Sequence, residues 1–207
     1  MFTMKSVFRL TSILLVAAVF SAFKFLPPGE PLAIHSALPM PDYKMKDVSG
    51  KEISLRDAQK EKGLLVIFAC NTCPYVKLSA TRIKDYSDYC MANNIGCVIV
   101  NSNEAQRNED DSFDEMVKYY KSQNLKTYYT VDTNSQLADA FGARNTPQCF
   151  LFNNHELVYR GAIDDNVRDP EAVKENYLKD AISAVIKGQL PAKQETKAIG
   201  CTIKRIE

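Results

Sequence analysis

The 207-residue chain contains no tryptophan and only two histidines, His35 and His155, far apart in sequence. It has one C-x-x-C pair and no second one. A structural zinc site would need two ligands beyond this pair, and neither a second C-x-x-C nor closely spaced histidines offer them. Haem attachment takes a histidine directly after the second cysteine of such a pair, and Pro74 stands there. A surplus of one charge is missing as well. Twenty-six Lys and Arg against 25 Asp and Glu leave a net charge of +1, which argues against a nucleic-acid or other polyanion partner. There is no internal repeat and no low-complexity tract. No apolar run reaches the ~20 residues of a membrane-spanning helix.

What is present suits one ordinary globular domain. The chain is 45% hydrophobic and 25% charged, and long enough to bury one sizeable core. Lys5 and Arg9 precede the largely apolar stretch Leu10 to Phe23. That order reads as an export signal, with an uncleaved N-terminal anchor as the alternative because no clean small-residue cleavage site follows. Residues 1–28 are therefore assigned to a signal peptide or anchor, 29–40 to a linker, 41–190 to the folded domain and 191–207 to a tail. The expected location is periplasmic or otherwise extracytoplasmic, with membrane contact only through the N-terminal segment. In such a compartment disulfides persist. The six cysteines are Cys70, Cys73, Cys90, Cys97, Cys149 and Cys201.

The hydrophobic pattern alternates strands and helices. Tyr43 to Leu55 reads as a hairpin around Ser49-Gly50. Ser54 caps a short helix with Asp57 three residues on. Leu64 to Phe68 and Ile95 to Val100 are short continuous apolar runs, read as strands buried on both faces. A helix is expected from about Pro74 to Met91, with Val76, Ile83, Tyr86 and Cys90 inward. Further helices are expected at 112–123, at 135–141 with Gly142 ending it, and at 170–187. Tyr128 to Val131 reads as a short strand. Gln148 to Phe152 and Leu157 to Arg160 form a second hairpin. This order predicts an α/β fold with a central mixed sheet flanked by helices. Sites in such sheets lie just past the carboxyl ends of strands, where Cys70 falls.

A C-x-x-C pair at a strand-to-helix junction has a chemical use. Unpaired N–H groups at a helix start favour a thiolate, the attacking species. Two cysteines at this spacing can close a disulfide and pass electrons through a mixed disulfide. A purely structural bridge is the competing reading, although such bridges usually close longer loops. Thr146-Pro147 comes directly before a strand, where proline is tolerated and a cis bond would be a deliberate feature.

The segment Phe68-Ala69-Cys70-Asn71-Thr72-Cys73-Pro74-Tyr75-Val76 resembles the thioredoxin/redoxin superfamily, in particular the peroxiredoxin-like branch with C-N-x-C-P-Y-V. The resemblance continues through Asn101-Ser102-Asn103, Asp110-Asp111-Ser112, Gly142-Ala143, Thr146-Pro147, Gly161 to Asn166 and Gly200 to Lys204. It implies a thioredoxin-like three-layer fold carrying the N-terminal hairpin as an extension, a redox-active Cys70–Cys73 pair and a cis-proline at Pro147. Three positions depart from the pattern. Thr72 replaces a frequent histidine, Ala69 replaces the tryptophan of ordinary thioredoxins, and Arg205 replaces an aromatic residue.

The expected function is thiol–disulfide exchange with protein thiols or disulfides, with no cofactor and no metal. Cys70 is expected as the exposed nucleophile and Cys73 as its resolving partner. Thr146, Pro147, Asn71 and Thr72 would shape the substrate groove. Cys201, docked by its tail, is a candidate auxiliary thiol. Peroxide reduction is the alternative, because Cys73-Pro74 matches part of the peroxiredoxin signature P-x-x-x-T-x-x-C. The remaining signature positions hold Val66 and Cys70. A non-enzymatic binding protein with a static disulfide is the third possibility.

Other polar clusters have plainer readings. Glu109, Asp110, Asp111, Asp114 and Glu115 read as a solvated face at a helix start. Asp164-Asp165-Asn166 reads as a turn. His155 is expected at an exposed hairpin tip. Cys90 and Cys97 read as a pair or as buried free thiols.

Overall fold

The computed structural model describes residues 30–206. The expected signal peptide or anchor at 1–28 lies outside them. Among the described residues no helix is long and apolar enough to cross a membrane.

Strands β1 (Met45–Asp47) and β2 (Glu52–Ile53) form the N-terminal hairpin. The central strands are β3 (Gly63–Phe68), β4 (Ile95–Asn101), β5 (Tyr128–Val131), β7 (Gln148–Phe152) and β8 (Leu157–Gly161). Their order in the sheet is β2-β1-β5-β4-β3-β7-β8. The strands β3, β4 and β5 run parallel, while β7 and β8 run antiparallel at one edge and the hairpin antiparallel at the other. Two short strands, β6 (Asn145–Thr146) and β9 (Cys201–Thr202), pair separately.

The continuous apolar runs are explained by burial on both faces. Side chains alternate along a strand. In β3, Leu65 and Ile67 enter one core layer, while Leu64, Val66 and Phe68 enter the other. The first layer is closed by α3 (Ala80–Ala92) and α6 (Tyr177–Ile186), with Met116 from α4 (Phe113–Ser122). The second is closed by α1 (Leu55–Ala58) and α5 (Gln136–Phe141). Phe68, Phe141 and Phe150 meet edge to face there, with centroids 5.1 to 5.7 Å apart. This is the expected three-layer α/β arrangement.

Local signals set several ends. Ser54 and Asp57 form a reciprocal capping box on α1. Gly142 ends α5 in the left-handed conformation, φ +58°.

Three expectations are corrected. The helix after Cys73 divides into α2 (Pro74–Leu78) and α3 at Ser79, whose own φ and ψ of −100° and 1° interrupt the run. The closing helix begins at Tyr177 rather than 170. Residues 170–172 form a single 3₁₀ turn, and Asp165 holds the following loop by accepting from the N–H groups of Lys174 and Glu175. Residues 30–40 are docked rather than spanning as a free linker. Leu32 is buried, its N–H donates to the Phe141 carbonyl, and His35 and Ser36 exchange backbone hydrogen bonds with Leu157.

The tail docks through β9. Gly200 lies so close to the Thr146 carbonyl that a Cβ there would sit 2.1 Å from its oxygen. Gly200→Ala is therefore expected to loosen β9 from β6. Limited trypsin digestion should release residues 198–204 at least several times faster than in the unaltered protein; an unchanged rate would show that the tail tolerates the methyl group.

Candidate active site

Strand β3 delivers Ala69 and Cys70 to the carboxyl edge of the sheet, and Pro74 starts α2 immediately after Cys73. Across from them the Thr146–Pro147 peptide bond is cis. The Cys73 Sγ donates to the Thr146 carbonyl at 3.0 Å. The Cys70 Sγ lies 3.7 Å from both the Thr72 and Thr146 hydroxyls. The two cysteines and Thr146 thus form one contiguous cluster. All six cysteines are free thiols, so Cys90 and Cys97 do not pair.

The two thiols titrate as a unit, because one proton is shared between neighbouring sulfurs. Cys73 is held well below the ordinary thiol range, first by a hydrogen bond from Cys70 and further by Cys201, Thr146 and the Val76 backbone N–H; burial opposes these. Cys70 is pushed up, first by the same hydrogen bond, then by burial and by the negative charge of Asp111. Of the two sulfurs, Cys73 is the one shifted toward the thiolate, and the hydrogen bond its thiol donates to the Thr146 carbonyl acts against that shift. Cys70→Ala removes the foremost cause and is expected to raise the Cys73 pKa toward that of a free thiol. The pH dependence of iodoacetamide alkylation would move its midpoint upward; an unmoved midpoint would assign the lowering to other groups.

The site corrects two expectations. Cys70 is not exposed: it is 1% accessible and Cys73 is 3%. The anticipated groove is largely covered too. Thr146, Pro147 and Asn71 are buried, and of the four residues only Thr72 keeps appreciable surface. On the Thr146–Pro147 side the tail lies against the backbone through Gly200, and on the other side Asp111 and Tyr129 enclose Asn71.

Asp111 belongs to the site, and the sequence reading missed it. It is fully buried instead of lying on a solvated face. Its carboxylate accepts from the Asn71 N–H at 2.9 Å, the Thr72 hydroxyl at 3.1 Å, Asn101 at 3.0 Å and Asn103 at 2.9 Å. It therefore ties both residues between the cysteines to the end of β4. Asn71 is held further by the Tyr129 hydroxyl and by the Asp110 carbonyl. Asn103 in turn accepts from the Lys204 N–H at 2.9 Å, which joins the C-x-x-C turn to the tail. Nothing local separates Asp111 from its acidic neighbours; the nearby run Asn101-Ser102-Asn103 was the available hint.

Asp164 is also buried. It pairs with Arg82, which donates to the carbonyls of Leu78, Asn166 and Val167. The Asp164-Asp165-Asn166 turn is thereby fixed to α3. His155 sits exposed at the β7–β8 hairpin, as expected.

Fold and site define a thioredoxin-like protein with a buried dithiol beside a cis-proline. The AhpC/TSA family profile matches residues 37–163, and the chain belongs to that family. Among solved structures, a hypothetical protein, SMc02350, from Sinorhizobium meliloti 1021 is 27% identical with a TM-score of 0.76, over 86% of this chain and 97% of its own. An uncharacterized conserved protein from Geobacillus kaustophilus is 25% identical with a TM-score of 0.74, over 86% and 98%. A secreted Mycobacterium tuberculosis disulfide oxidoreductase homologous to E. coli DsbE shares the fold, at 13% identity and a TM-score of 0.51, over 70% and 95%. No curated protein matches.

Proposed function

We propose that this chain is an exported thiol–disulfide oxidoreductase working through Cys70 and Cys73. The observation that carries the reading is the placement of both thiols against Thr146 and its cis bond to Pro147, where β3 hands over to α2. In the reduced state the Cys73 thiolate attacks a partner disulfide. One S–S bond breaks, a Cys73–partner bond forms, and the other partner sulfur leaves as a thiolate. Cys70 then gives up its proton to that thiolate and attacks the Cys73 Sγ, so that the Cys73–partner bond breaks and the second partner sulfur leaves as a thiolate. The Cys70–Cys73 bond closes, and two electrons have passed to the partner. Asp111 acts as a positioning residue for the Asn71-Thr72 turn.

Export rests on the basic and apolar N-terminus, and the secreted relative with the same fold is compatible with it. Protein disulfides are the proposed substrates. The test is reduction of insulin disulfides by the protein in the presence of dithiothreitol. Acceleration at least tenfold over dithiothreitol alone is expected; a rate no higher than the reagent's would overturn the reading.

Peroxide is a second candidate substrate, favoured by membership of the AhpC/TSA family. The signature position occupied by threonine in peroxiredoxins is Cys70 here, although the Thr72 and Thr146 hydroxyls approach Cys70. Stopped-flow consumption of hydrogen peroxide would distinguish the two substrates.

A further inference from the structure

The exchange reading leaves a question of access, since neither Cys70 nor Cys73 reaches the surface. The tail that lies along Thr146 and Pro147 carries a third cysteine. In the β6–β9 pairing, Cys201 stands opposite Thr146, the residue whose carbonyl accepts from Cys73. Cys201 packs against the same core cluster as Cys70 and Cys73, yet it is only partly buried. Its segment is held on both sides. Asn145 donates to the Gly200 carbonyl at 3.1 Å, the Ile203 N–H to the Arg144 carbonyl at 2.9 Å, and Ile203 itself is buried. An extended segment bearing a cysteine is thus laid along β6, in the way an added strand docks on an open edge.

We infer that Cys201 is the third thiol of the redox centre, forming a disulfide with Cys73 and carrying exchange between the buried pair and external dithiols. This rests on Cys70 and Cys73 being an exchanging pair. Starting from the Cys70–Cys73 disulfide, the Cys201 thiolate attacks the Cys73 Sγ. The Cys73–Cys201 bond forms, the Cys70–Cys73 bond breaks, and Cys70 leaves as a thiolate that takes up the proton shed by Cys201. A thiolate of an external protein dithiol then attacks the more accessible Cys201 Sγ. Cys73 departs as the thiolate, and the second thiol of the external dithiol resolves the mixed disulfide. The external dithiol is oxidised, and the pair and Cys201 end as thiols.

The electrostatics of the tail suit this order. In the reduced centre Cys201 is pushed up to about 11, first by burial, then by its hydrogen bond to Cys73 and by the Cys73 charge; Lys204 opposes. Oxidation of Cys73 removes its negative charge, so that Lys204 acts against burial without that contribution. Cys201 is thereby restrained while the pair is reduced and released when the pair is oxidised.

The test begins with the full chain carrying Cys70→Ser, treated with one equivalent of oxidised glutathione and mapped without reductant. Trypsin should yield residues 63–77 linked to residues 198–204 through Cys73 and Cys201 in most molecules. Recovery of Cys73 as a glutathione adduct, with Cys201 free in a folded variant, would overturn the inference. The second arm compares Cys201→Ser and Cys201→Ala in the otherwise native chain. Reduction of the Cys70–Cys73 bond by reduced thioredoxin, used as the probe dithiol, should slow at least tenfold in both. An undiminished rate would overturn it. Failure of the exchange reading itself would look different: the native Cys70–Cys73 bond would not form or would not respond to any dithiol, with or without Cys201.

Discussion

Replacing Cys73 with serine is expected to abolish disulfide exchange, whereas replacing Cys70 and Cys201 together should stop turnover after the first chemical step. The difference follows from where the negative charge sits. Cys73 gathers hydrogen bonds that favour its thiolate, and Cys70 is disfavoured by burial and by the Asp111 charge. Only a thiolate attacks at a useful rate. Without Cys73, the remaining thiol keeps its proton, and the rate should fall at least ~1,000-fold, near the reagent background. Without Cys70 and Cys201, Cys73 still attacks, although its own thiolate loses two stabilising donors. Nothing then resolves the adduct from within the pair, so a covalent mixed disulfide accumulates. Mass spectrometry of each variant incubated with an oxidised protein substrate would separate the cases. An adduct on Cys70 in the Cys73→Ser protein, and none on Cys73 in the protein carrying both Cys70→Ser and Cys201→Ser, would reverse the assignment.

Asp111→Ala is expected to be among the most damaging single changes outside the cysteines. The carboxylate is fully buried and satisfies four donors on two segments of chain, the C-x-x-C turn and the end of β4. Its removal leaves those donors without an acceptor, at a cost of about 1–3 kcal/mol for each that water cannot reach. Relaxation recovers part of this, so a net loss of about 3 kcal/mol is expected. For a chain of this size that corresponds to a fall of roughly 10 °C in Tm. Asp111→Asn keeps one acceptor oxygen and should lose about half as much. Because the Asn71 N–H and Thr72 hydroxyl are among the freed donors, the exchange rate measured well below Tm should also drop. Calorimetry showing a change under 1 kcal/mol for the alanine variant would mean that the turn is held by Tyr129 and the backbone alone.

The cysteine pair and the proline were legible because their chemistry depends on local spacing. The buried strands were legible because β3, β4 and β7 lie between two core layers, and only an unbroken apolar run satisfies both. Gly142 and the Ser54–Asp57 box were legible as helix ends. What escaped depends on distant parts of the chain. Asp111 sits among acidic residues of the same type, and only the packing of Asn101, Asn103 and the C-x-x-C turn around it distinguishes it. The accessibility of Cys70 could not be read from its position at a strand end, because Thr146, which lies against it, arrives 76 residues later in the chain. Residues 30–40 carry turn-forming composition, yet Leu32 finds a place in the second core layer. The start of α6 was masked by Asp165 holding Lys174 and Glu175 out of helical geometry.

The central claim is that Cys70 and Cys73 are an exchanging pair. It is tested most directly by equilibrating the purified domain in glutathione buffers spanning strongly reducing to strongly oxidising ratios, quenching with acid, and counting free thiols on the peptide that contains both cysteines. The account predicts a reversible two-electron transition, reached from either direction, in which Cys70 and Cys73 change state together. A pair that stays wholly reduced or wholly oxidised across the full range would contradict it.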